Sequence, residues 1–110
     1  MRRVLLDENL PVQLRHWLGG VEAATVEYMG WKEMKNGDLL RAATGRFDVF
    51  VTSDQLLVAE RTEWQVFGVV LLPTNFKPAL RRAAPTVAEA CRTVEIGAVM
   101  WVDVMAAAKG

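Results

Sequence analysis

Five short apolar runs, Val4–Leu6, Val21–Val26, Val49–Thr52, Val66–Leu72 and Ala98–Val102, recur along the chain with helix-like segments between them. No other feature narrows the fold as much. The runs are rich in valine and mostly continuous, not alternating, which is the pattern of strands covered on both faces. Strands separated by helices do not pair as hairpins. They line up in parallel, with the crossover helices on both sides of the sheet. The expected fold is therefore α/β: a three-layer α/β/α sandwich around a mostly parallel five-stranded sheet, with the first and third strands adjacent at its centre. A chain of 110 residues, 52% of them hydrophobic, suits a single domain over residues 1–110.

The intervening segments read as helices by their spacing. Leu10, Leu14, Trp17 and Leu18 share one face, with Pro11 in the first turn and Gly19-Gly20 as the stop. Asn36-Gly37-Asp38 opens a second helix containing Leu39, Leu40, Ala42 and Ala43. Ser53 is placed to cap a third, with Leu56, Leu57, Val58 and Ala59 inside it. A fourth, Lys77 to Val94, keeps an apolar face through Leu80, Ala84, Val87, Cys91 and Val94, and Pro85 in its middle predicts a kink or a break. Residues 27–35 carry no clear pattern.

Charge limits the functional classes. Thirteen basic and thirteen acidic residues cancel, so any contact with a polyanion needs a local basic patch. The single cysteine, Cys91, excludes an internal disulfide and suits a reducing cytoplasm. No charged-then-apolar leader opens the sequence, and the apolar runs fall far short of the roughly 20 residues a membrane helix needs. A cytoplasmic protein with no membrane partner is expected.

In an open parallel sheet, ligands bind outside the carboxyl ends of the strands. Asp7, Glu8 and Asn9 follow the first strand, Thr52, Ser53 and Asp54 close the third, and Thr74 and Asn75 follow the fourth. Asp38 opens a helix on the same rim. Taken singly, these acids are ordinary strand-end or first-turn residues. Gathered in one crevice, Asp7, Asp38 and Asp54 would repel one another, and a hard cation such as Mg²⁺ or Mn²⁺ would relieve that repulsion while keeping positions for water and phosphate.

VLLDENLP at residues 4–11 with its flanks, GDLLRAA at 37–43 and DVFVTSD at 48–54 together resemble the DUF5615 group of PIN-like proteins, which is similar to the toxin nucleases of bacterial toxin–antitoxin pairs. The resemblance covers residues 3 to about 76. It implies a metal-dependent ribonuclease with Asp7, Asp38 and Asp54 as catalytic metal ligands, Asn9 as a neighbouring polar residue and Thr52 or Ser53 shaping the turn. Glu8 and Asn75 are further supporting candidates, read from their places on the rim. The resemblance also implies single-stranded RNA as substrate and a cognate antitoxin as partner. One position departs from the pattern. The group commonly reads T-x-D-x-D-F, whereas here Leu56 replaces the second acid of that motif in Thr52-Ser53-Asp54-Gln55-Leu56-Leu57. Glu60 does not replace it, since six residues along a helix turn it about 240° from Asp54. A catalytically impaired PIN-like binding domain is therefore an alternative.

A receiver-type phospho-acceptor domain is another alternative, because Asp7, Glu8, Asp54 and Thr74 imitate its pocket. The lysine such a pocket needs after the fifth strand is missing, since the chain reads Val102-Asp103-Val104 there. Arg41, Arg46 and Arg81 are candidates for binding RNA, with Arg61, Lys77 and Arg82 as further cations. The bland reading of all six is solvated surface charge. Trp31 and Trp64 are candidates for stacking a base, against the plainer role of core, rim or homodimer packing. His16 and Cys91 have no partner suggesting chemistry and read as surface and packing residues.

Overall fold

The five apolar runs form the strands of one sheet, and in this computed structural model every pairing in it is parallel. The structure describes residues 1–60 and 63–109, apart from the side chains of Glu60 and Glu63. The strands are β1 (Arg3–Leu6), β2 (Glu22–Thr25), β3 (Val49–Thr52), β4 (Gly68–Leu71) and β5 (Val99–Trp101). The helices are α1 (Leu14–Trp17), α2 (Asn36–Ala43), α3 (Gln55–Glu60), α4 (Lys77–Thr93) and α5 (Val104–Lys109), with a 3₁₀ turn at Glu63–Val66. Among the described residues no helix is long and apolar enough to cross a membrane.

Side chains alternate across each strand, so neighbouring residues feed different cores. Val4 and Leu6 of β1, with Val49 and Val51 of β3, pack among Leu14 of α1, Leu80 and Val87 of α4, and Val104 of α5. Leu5 and Phe50 belong to the opposite core, with Leu39, Leu40 and Ala43 of α2, Leu57 of α3, and Phe67. Helices on both faces explain why the strands read as unbroken apolar runs. The strand order is β2-β1-β3-β4-β5. From β1 the chain first steps outward to β2, then crosses back over β1 to enter β3. The order thus reverses between β1 and β3, and the crevice at that reversal is where doubly wound sheets bind ligands.

Several local expectations are corrected. The fourth strand starts at Gly68 because Glu63–Val66 wind into the 3₁₀ turn, and the second and fifth strands are each shorter than their apolar runs. Only Leu14–Trp17 of the first helical segment is α-helix; its start is wound by i→i+3 bonds, such as Leu14 N–H to the Pro11 carbonyl at 3.1 Å. Helix α4 continues unbroken through Pro85. Pro85 lies on the exposed face, so the Arg81 carbonyl it leaves unpaired is open to water. Helix α5 was not anticipated; Asp103 caps it, accepting the Ala106 N–H at 3.1 Å.

The far end of α4 is tied to the start of the chain. The Arg2 guanidinium donates to the carbonyls of Cys91 at 3.0 Å and Val94 at 2.6 Å, satisfying groups that a helix end leaves without partners. The turn after α4 then passes close to the start of β4. A Cβ on Gly68 would lie 2.6 Å from Val94 Cγ1 and 3.2 Å from the Glu95 carbonyl oxygen. Gly68→Ala is expected to destabilise the fold by about 1–3 kcal/mol, the usual cost of overpacking. Urea denaturation checks this, and an unchanged midpoint would mean that the 94–95 turn backs away without cost.

Candidate active site at the carboxyl edge

Asp7 is the first residue past β1, and its backbone N–H still donates to the Val51 carbonyl of β3 at 2.9 Å. That pairing holds the residue at the reversal between β1 and β3. It is 7% exposed. Each carboxylate oxygen accepts one hydrogen bond: Oδ1 from the Glu8 backbone N–H at 2.8 Å, and Oδ2 from the Thr52 hydroxyl at 2.7 Å. The Thr52 oxygen in turn accepts the Asp54 N–H at 3.0 Å, so one hydroxyl links the two acidic loops. Burial pushes the Asp7 carboxyl above the usual carboxylate range. The two hydrogen bonds oppose that rise, and the charges of Glu8 and Asp54 add to it. Burial, more than repulsion between acids, is the cause.

Asp54 stands at the N-cap of α3. Its Oδ1 accepts the Leu57 N–H at 3.0 Å, so Asp54, and not Ser53, caps the helix. Ser53 occupies the turn between β3 and α3. Glu8 is exposed. Asn9, two residues past Asp7, carries a buried Oδ1 with no hydrogen-bond partner among the described residues. The Asn75 amide donates to the Asn9 carbonyl at 3.1 Å, pinning the loop after β1 to the loop after β4. Asn75 therefore acts here as a clamp on the Asp7 loop.

Asp38 does not join this group. It pairs with Arg41 one turn along α2, where both side chains are largely exposed. Among the described residues no three His, Cys, Asp or Glu side chains come together as a metal-binding group. The expected convergence of three aspartates is thus reduced to Asp7 and Asp54. The reason is local: an arginine three residues along the same helix competes for the Asp38 carboxylate.

The basic and aromatic candidates separate. Arg46 follows α2 and precedes β3, which places it at the amino edge of the sheet, where it lines a cavity with Arg3 and Glu22. It stacks on the Trp31 ring at 5.3 Å, and Trp31 meets Phe47 edge-on, so both are packing residues on the wrong edge for this site. The indole N–H of Trp64 donates to the Val58 carbonyl at 3.0 Å, again a packing role. Arg81 lies over Trp17 at 5.6 Å, near the start of α4. Arg61 lies outside the described residues. His16 is exposed beside Arg15. Cys91 is buried, and burial pushes its thiol up to about 12, which leaves it unreactive.

Phe76 escaped notice in the sequence, although an apolar residue at the N-cap of the longest helix, where a polar side chain is usual, was a readable signal. Neither a family model, nor a curated protein, nor a solved structure matches the chain.

Proposed function

We propose that this chain is a PIN-like ribonuclease that cuts single-stranded RNA with Mg²⁺ or Mn²⁺, and that it works in the cytoplasm as the toxin of a pair silenced by a cognate antitoxin. The observation that carries the reading is Asp7: a carboxyl group buried at the strand-order reversal, held from both sides, with a second carboxylate close enough to be felt. A group that costs this much to bury is a poor surface solvator and a good cation ligand.

The donors present fit a hard cation in kind. They are all oxygens: the carboxylates of Asp7 and Asp54 and the unpartnered amide oxygen of Asn9. Mg²⁺ commonly takes only one or two protein carboxylates and fills its remaining positions with water and substrate phosphate. Asp7, Asp54 and Asn9 would hold it, and Asp38, engaged with Arg41, is not required. When bound, the cation supplies an activated water and neutralises charge on the phosphodiester. The chain's own part is to fix Asp7. With one hydrogen bond on each carboxylate oxygen, both oxygens keep a lone pair for ligation, and the Thr52 hydroxyl prevents the side chain from turning away.

Leu56 supplies the test. It is 68% exposed, in the first turn of α3, where the resembled family carries an acid. The purified protein is expected to cleave single-stranded RNA when Mn²⁺ or Mg²⁺ is present and to stop in EDTA. Leu56→Asp is expected to raise the rate roughly tenfold, the scale on which groups around a metal change activity. An acid at that position also suits the helix N-terminus, so stability should not suffer. No cleavage by either protein would overturn the nuclease reading. Tight antitoxin binding alongside that result would leave the binding-only PIN-like domain, which exposed Leu56 and the Asp38–Arg41 pair favour. The receiver alternative gains nothing from the geometry: the Thr74 hydroxyl accepts the Phe76 N–H at 3.0 Å, and Asp103 caps α5 where a lysine is needed.

A further inference from the structure

We infer that the surface at the start of α4 is the track along which single-stranded RNA approaches Asp7, with Phe76 stacking a base and Lys77, Arg81 and Arg82 holding the phosphates. The substrate class rests on the ribonuclease reading; the track itself rests on separate observations. Although the chain is neutral overall, no acidic residue occurs between Glu63 and Glu89, while Lys77, Arg81 and Arg82 fall in that interval. All three are exposed, and Lys109 of α5 adds a fourth cation. Two grooves meet here, sharing Pro78 and Arg82; one is walled by Phe76, Met105 and Lys109, the other by Trp17, Lys77 and Arg81. Among the described residues no carboxylate lines either groove. The described salt bridges occupy other arginines: Arg3, Arg41 and Arg92.

The aromatic residues decide what these cations hold. Phe76 is 59% exposed and walls one of the two grooves directly beside Lys77. Arg81 already lies over the Trp17 ring at 5.6 Å, and both residues line the second groove. Cations interleaved with π-faces are how single strands are bound without sequence preference: the cations follow the backbone and the rings take the bases. An acidic peptide would use the cations but would give no reason for the exposed ring. The track also leads to the proposed centre. Phe76 directly follows Asn75, whose amide is bonded at 3.1 Å to the carbonyl of Asn9, two residues from Asp7.

The test is binding without chemistry: fluorescence anisotropy of a fluorescein-labelled oligouridylate in EDTA, as a function of salt. Phe76→Leu, which keeps the apolar bulk and removes the π-face, is expected to weaken binding roughly tenfold, the loss of one base stack, while Phe76→Trp retains affinity. Lys77→Gln and Arg82→Gln should each reduce the slope of log affinity against log salt by about 0.7, one phosphate contact on a single strand. Ile96→Ala, an exposed apolar residue in the turn beyond the far end of α4, should change nothing. These positions are exposed, and equal thermal midpoints would exclude misfolding as the cause. Failure of the wild type to bind the oligonucleotide, or unchanged binding in the Phe76 and Arg82 variants, overturns the inference. So does loss of affinity for polyglutamate in these variants with oligouridylate unaffected, which would make the surface a docking site for an acidic partner. Binding that follows the expected pattern in a protein that never cleaves RNA with Mn²⁺ would uphold the track and remove the nuclease reading.

Discussion

Asp7→Asn is expected to lower Mn²⁺-dependent RNA cleavage by about 100-fold or more while leaving the fold intact. Partners one step removed from a metal already change activity about 10–100-fold, and Asp7 is assigned direct contact. The substitution is nearly isosteric. The amide oxygen can accept from the Glu8 N–H, and the amide nitrogen can face the Thr52 oxygen, whose hydroxyl proton is free to rotate. Stability should therefore hold or improve, and its pH dependence has a definite sign. Because burial raises the Asp7 pKa in the folded protein, the native state holds this proton more tightly than the unfolded chain does. Its contribution to stability falls as pH rises from the unfolded carboxylate range through the folded value. Measured in EDTA, Asp7→Asn should match or exceed the wild-type thermal midpoint at neutral pH. The difference should vanish below the unfolded carboxylate range, where both side chains are neutral. A variant that melts well below wild type at neutral pH would instead make Asp7 a structural residue.

The greatest loss of stability is expected from Phe50→Ala. Phe50 is 1% exposed at the middle of β3, the central strand, with Leu5 and Val69 as its register partners on either side. It anchors the core that α2 and α3 cover. Truncating a buried phenylalanine costs about 3–5 kcal/mol. Against a total of about 5–15 kcal/mol for an ordinary domain, that is a large share of what holds the chain folded. Urea unfolding followed by tryptophan fluorescence would measure it. A loss below about 1 kcal/mol would mean that the α2–α3 layer collapses into the cavity and is less rigid than its packing implies.

Both the strands and their parallel arrangement were legible because burial on two faces leaves an unbroken mark in sequence, as in Val49–Thr52, where the strand matches the apolar run end for end. The carboxyl rim followed from topology. What could not be read was set by competition between nearby groups. Ser53 and Asp54 can each cap a helix, and only the turn geometry selects Asp54. Asp38 lies on the correct side of α2, but sequence does not say whether it faces a cation or Arg41. Arg46 reads in sequence as a cation beside α2, yet Gly45, with φ of 81°, turns the chain off the end of α2 toward the amino end of β3, which carries Arg46 to the opposite edge. Helix α5 is six residues long and rich in alanine, too short to show periodicity. The surface around Phe76 was hidden for a different reason: neutrality of the whole chain conceals a local excess of one sign.

The Thr52–Asp7 hydrogen bond joins residues 45 positions apart, across a sheet whose order reverses between them. No shorter piece of the polypeptide contains both halves of the centre, and a ribosome must release β3 before the two acidic loops can meet. A centre built in this way cannot exist on the nascent chain until both strands have emerged. It is assembled only at the moment the central strand is seated, so its formation reports that the middle of the sheet is complete.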